Sequence, residues 1–133
     1  MKLTYDIQEI ENVLADFSKS ADLSKNIFKG QRPNNVDTKM SDFIVVSVPS
    51  GITDLATYGR CVSRIEMFVK NLSDGTKNGV KFSLMYRKLV EVFPIQSDTY
   101  LFELHPRIIQ LGNDKNGYFV QALNINTIIK TIQ

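Results

Sequence analysis

At the start of the chain apolar side chains recur at helical spacing. Ile7, Ile10, Val13, Leu14 and Phe17 stand three or four residues apart, with Gln8, Glu9, Glu11, Asn12 and Asp16 between them. Residues 6–18 are therefore predicted to form an amphipathic helix with one face buried. Asp6 is placed to cap it, with Glu9 at the third helical position, where acids suit the positive end of the helix dipole. The period then shortens to two. In 43–48, Ile44, Val46 and Val48 fall on one side and Phe43, Val45 and Ser47 on the other. Two largely apolar faces predict an interior strand covered on both sides. Arg60–Lys70 alternates more plainly, with Cys61, Ser63, Ile65, Met67 and Val69 on a core face and Val62, Arg64, Glu66, Phe68 and Lys70 on a mixed one. These two strands are expected to be neighbours joined by the exposed loop Ser50–Gly59. The mixed face, apolar and charged in alternation, makes Val62, Arg64, Glu66, Phe68 and Lys70 the candidate subunit interface.

The remaining segments complete the pattern. Lys25–Arg32 centres on Ile27 and Phe28 and closes on Pro33-Asn34-Asn35, which fits a short edge strand ending in a turn. Ser73–Gly79 is a loop of turn-forming residues. From Val80 to Phe93, an apolar stripe of Val80, Leu84, Met85, Leu89, Val92 and Phe93 predicts a second helix, stopped by Pro94. Thr99–Leu111 is strand-like, with Tyr100, Phe102 and Leu104 on one face and Pro106 marking a bulge or an edge. After the turn Gly112–Gly117, Tyr118 to about Ile129 is expected to return antiparallel to it. The predicted fold class is α+β, a mainly antiparallel sheet of about five strands packed with two helices in the order α-β-β-β-α-β-β.

Composition narrows this picture. The chain has 133 residues, 43% of them hydrophobic and 23% charged, which suits one globular domain spanning 1–133 with its own core. A formal net charge of +2 is too small to draw in nucleic acid or an acidic membrane by bulk attraction. The N-terminus has scattered charges and no apolar signal-peptide core, so it is read as unprocessed. No run of roughly 18 apolar residues occurs, so no membrane-spanning helix and no membrane partner is expected.

Residues with possible chemistry are sparse. Cys61 is the single cysteine, so no internal disulfide is available, and its place on a core face makes it a small hydrophobe. His105 is the only histidine; with Glu103 it forms the one pair suited to acid–base work, but no nucleophile or further ligand is spaced to join it. Asp37, Asp42 and Asp54 lack a spacing that brings them together as a metal site. Ser73–Gly79 lacks the acidic positions of a calcium loop, and its glycines are not followed by the Lys of a phosphate loop. No catalytic residue, cofactor or metal is expected. Lys25, Lys29, Arg32 and Lys39 form a locally basic group, either a solvated edge or a surface facing DNA or an acidic partner.

The chain as a whole resembles the tail-terminator and tail-completion proteins of tailed bacteriophages. The resemblance is carried by IQEIENVLADF, NIFKGQRPNN, DFIVVSVPS, CVSRIEMFVKN, VKFSLMYRKLVEVF and the final pair TYLFELHPRIIQL and YFVQALNI. It implies a noncatalytic virion subunit, assembled in the host cytoplasm, that forms a homo-oligomeric ring, commonly a hexamer. Such a ring caps the tail tube and joins it to the connector, and DNA passes through its channel without sequence-specific contacts. Two other readings stand beside it. One is a small DNA-binding or regulatory domain using the basic edge; the other is a hydrolase resting on His105 and Glu103.

Overall fold

The computed structural model describes residues 5–34 and 40–130; Asp37 and Lys39 lie outside them. The chain opens with helix α1, Ile7–Ser20, and the Asp6 carboxylate caps it by accepting the Gln8 N–H at 2.9 Å. Strands β1 (Ile27–Lys29), β2 (Asp42–Ser47), β3 (Thr53–Asp54) and β4 (Tyr58–Lys70) follow. Helix α2, Gly79–Val92, begins where the Asn78 side chain accepts the Lys81 N–H. Strands β5 (Ile95–Gln96), β6 (Tyr100–Asn113) and β7 (Tyr118–Lys130) end the described chain.

One sheet collects all seven of these strands in the order β1-β2-β4-β7-β6-β5, with β3 pairing on β4. Every pair is antiparallel except β1 with β2. The fold class is thus α+β as expected, but with seven strands among the described residues rather than about five. The additions are β3 and β5, each only two residues long, and a two-residue ladder leaves no periodicity to detect. The loop 50–59 is accordingly a miniature hairpin in which Thr53 faces Arg60 and Asp54 faces Gly59. The long β6–β7 pair turns at Asp114, whose carboxylate accepts the N–H groups of Asn116 and Tyr118 while Gly117 adopts φ +86°. In β6 the register shifts between Leu104 and Ile108, at the bulge that Pro106 predicted.

The sheet curls around α1. Ala15 of α1 lies beside β1 at one edge of the sheet, whereas Glu9 of the same helix stands near enough to Tyr100 on β6, toward the other edge, for its charge to help burial raise the Tyr100 hydroxyl pKa. Where α1 begins, Tyr5 lies so close to β4 that a Cβ added at Gly59 would stand 2.5 Å from Tyr5 Cε1.

Both helices pack on the same sheet face. Ile10 and Leu14 of α1 and Phe82, Met85 and Leu89 of α2 join Ile44, Val46, Ile65, Met67, Leu123 and Ile125 in the main core. Here the expected stripe of α2 needs correction, because Val80 is 76% and Leu84 52% exposed while Phe82 is 3% exposed. The apolar arc of this helix is wide enough for two phases, and docking on the sheet selects the one that contains Phe82.

The opposite face carries a second, smaller core near β1 and β2. Phe43, Val45, Phe68, Tyr118 and Val120 are buried there, with Phe28 and Met40 packed against them. This explains why β2 is buried at every position along its length. The segment after β1 closes over this cluster: Arg32 lies 5.7 Å from the Phe68 ring centroid and bonds the Asp114 carboxylate at 2.6 Å.

Candidate functional site

The mixed face of β4 is partly free and partly closed. Val62, Arg64 and Glu66 are half-exposed and Lys70 is exposed, but Phe68 is only 5% exposed. Phe68 must therefore be removed from the predicted interface: it stacks on Phe43 at 4.3 Å between centroids and lies under Arg32. Its alternation with Glu66 is compatible with an outward position, and the covering comes from residues distant in sequence. Cross-strand pairing extends the free part. Val62 faces Asn126 and Arg64 faces Asn124 on β7, whereas Glu66 faces the buried Ala122, where the free part ends. Arg64 donates through Nε to Asn124 Oδ1 at 3.1 Å, which ties its guanidinium to the neighbouring strand. Leu101 and Glu103 of β6, opposite Ile128 and Asn126, continue the same face. Sequence reasoning missed these β6 and β7 residues because the strand pairing that joins them to β4 spans half the chain.

Glu66 is partly desolvated on this face. Burial raises its pKa above the usual carboxylate range, with Arg64 partly opposing the rise. A raised carboxyl pKa means that ionisation costs folding stability as pH climbs through the unfolded and then the folded value. Glu66→Gln is therefore predicted to raise the thermal midpoint of the dilute protein at neutral pH. The gain should vanish well below the ordinary carboxylate pKa, where both states carry the neutral acid. Thermal unfolding at the two pH values checks this, and an equal gain at both would refute it.

The predicted basic group does not assemble as drawn. Arg32 is turned to the small core and paired with Asp114, so it is withdrawn from any patch with Lys25 and Lys29, and Lys39 falls outside the described residues. Lys25 and Lys29 are exposed on the β1 edge and acquire a different neighbour, Lys19 from the last turn of α1. With Ala15, Asp16, Asp22, Ser24 and Ile27 these lysines line an open groove of about 570 Å³. Lys25 also borders a second groove of about 450 Å³, where Lys81 and Lys88 of α2 meet Asp42 and Asp22. The helical phase of Lys19 would have revealed its partners only once β1 was known to lie beside α1.

The other residues considered for chemistry stay apart. Asp42 pairs with Val69 and Asp54 with Gly59, at opposite ends of β4, so these two acids do not converge. Asp54 accepts the Tyr5 hydroxyl at 3.0 Å and the Ala56 N–H at 2.8 Å. His105 sits half-buried in the β6 bulge with Nδ1 unpartnered, and no hydrogen bond joins it to the exposed Glu103. Cys61 is buried; burial pushes its thiol pKa up, against the opposing effect of Ser63 and Thr127, which is the setting of a packing residue. Among the described residues no group of three or more His, Cys, Asp or Glu is arranged to hold a metal ion. In the Ser73–Gly79 loop, the Asp74 carboxylate is occupied locally by the N–H and hydroxyl of Thr76, which lower its pKa.

The fold and its exposed features define a two-layer α+β domain with a half-open sheet face and a basic sheet edge. No protein-family model and no curated protein matches the chain.

Proposed function

We propose that this chain is a noncatalytic structural subunit of a tailed-phage virion, forming a ring at the junction between tail tube and connector. The reading comes from the resemblance of the whole element pattern to tail-terminator and tail-completion proteins. The observation that carries it furthest is the uncovered band Val62–Arg64–Glu66 beside Asn124 and Asn126. Both helices lie on the other face, so a neighbouring subunit can approach this band without disturbing the core. The reading as a DNA-binding domain is weakened by the loss of Arg32 from the basic group, since arginine is the stronger phosphate ligand.

The test is the mass of the particle. Light scattering and electron microscopy of the full chain, alone and with tail tubes, should show a ring. A double variant, Val62→Asp with Arg64→Glu, should abolish it while leaving the monomer folded. A wild-type chain that stays monomeric with tubes present and does not bind them would overturn the proposal.

A further inference from the structure

We propose that the free edge of β1 takes up an extended polypeptide segment as an added strand, and that this segment carries an apolar residue and a carboxylate two positions apart. The inference goes beyond the ring reading and does not require it.

Backbone accounting supplies the first half of the argument. The Ile44 N–H bonds the Asn26 carbonyl at 2.9 Å and the Gly30 N–H bonds the Val46 carbonyl at 2.8 Å. In a parallel pair alternate residues face the partner, so Asn26, Phe28 and Gly30 address β2. Ile27 and Lys29 consequently turn their N–H and C=O groups outward, and no other described strand pairs with them. An unpaired edge of this kind is a template for strand addition.

Side chains supply the second half. Ile27 and Lys29 register with Ile44 and Val46, whose side chains lie on the helix side of the sheet, so a strand added beside β1 would run through the groove under α1. Ala15 and Ile27 form its apolar floor. Lys19, Lys25 and Lys29 have no ion-pair partner within 4.0 Å among the described residues. Asp22 is shared with Lys88 at 3.8 Å, which leaves exposed Asp16 and nearly buried Glu11 to balance three ammonium groups. The surplus positive charge suits a carboxylate beside Lys29 and Lys19, two positions from the apolar contact at Ile27.

Two alternatives fit less well. Duplex DNA offers phosphates to the lysines, but its donors are base amino groups inside the grooves, away from the phosphate backbone that the lysines would hold against the outward carbonyls of Ile27 and Lys29. The β6 edge is longer, but its register shifts at Leu104–Ile108 and Gln110–Gly112 break the regular spacing that an incoming strand needs.

The experiment titrates the isotope-labelled full chain with a blocked peptide, acetyl-Thr-Glu-Thr-Val-Thr-Glu-Thr-amide, in which a carboxylate stands two positions from Val in either strand direction, and with its Glu-to-Lys counterpart. The acidic peptide should shift the Ile27 and Lys29 amide resonances and slow their hydrogen exchange, and the basic one should not. Lys19→Glu with Lys29→Glu, both at exposed positions, should weaken the acidic peptide about tenfold, the scale of losing two screened ion pairs. The Lys29→Pro variant, which removes an outward donor, should weaken it with the charge at Lys19 intact. Absence of these shifts, equal binding of both peptides, or binding at other residues would overturn the proposal. So would salt-sensitive binding of a duplex DNA probe through the same lysines with no response to the peptide. A concentration-dependent shift of these amides without peptide would assign the edge to a second copy and overturn the stated partner. Ring formation by the Lys19→Glu/Lys29→Glu variant would leave the oligomer reading intact whichever way the peptide result falls.

Discussion

Phe43→Ala should destabilise the protein by about 3–5 kcal/mol, the usual cost of deleting a fully buried ring. Phe43 is 0% exposed and organises the small outer core. It stacks on Phe68 at 4.3 Å and meets Tyr118 and Phe28 edge-on at 5.1 and 5.8 Å. Removing it leaves three aromatic neighbours without a common partner. It also loosens Phe68 beneath Arg32, so the Arg32–Asp114 pair should lose order. Thermal or urea unfolding measures the effect; a fall in midpoint on the order of 10–20 °C is expected for a domain of this size. Phe43→Leu, which keeps most of the volume, should cost much less. A loss under about 1 kcal/mol for Phe43→Ala would mean that the outer cluster is not a closed core.

Asp42→Ala is expected to cost about 2–4 kcal/mol, because it takes the carboxylate from a partly buried ammonium and a buried hydroxyl and leaves them only the Ser41 hydroxyl and the residue-42 carbonyl. The Asp42 side chain is 12% exposed and lies 2.5 Å from Lys81 Nζ, which is 33% exposed. The same carboxylate accepts a hydrogen bond from Ser24 Oγ, while the Asp42 carbonyl accepts from Asn26 Nδ2 at 3.2 Å. This one residue therefore ties the α1–β1 connection, the start of β2 and the first turn of α2 together. A double-mutant cycle with Lys81→Met isolates the charge pair from the Ser24 contact. If Asp42→Ala costs no more than a surface ion pair, about 0–1 kcal/mol, the network is not holding the three elements.

Much of this organisation was legible because it is local. The apolar positions of α1 and the alternation of β4 each record one periodic element meeting one surface, and Asp6 caps α1 as its type and place predict. The bulge in β6 was legible for the same reason, since Pro106 cannot continue a ladder. The errors fall where two distant segments compete for a surface. Phe68 alternates with Arg64 and Glu66 on the mixed face, but the chain following β1 folds back over it and engages Arg32 in doing so. Val80 and Leu84 belong to the apolar stripe of α2, but the sheet accepts the phase that buries Phe82.

Side-chain period and backbone chemistry suffice for the α+β class, the two helices, the interior character of β2 and the choice of core face on β4, because each is a local property of the chain. Tertiary structure alone decided that β1 runs parallel to β2, that β7 lies between β4 and β6, and that Lys19 joins Lys25 and Lys29 on the free edge. Those outcomes depend on which strands pair and how the sheet curls around α1. They are set by contacts between residues far apart in the chain, which no local pattern encodes.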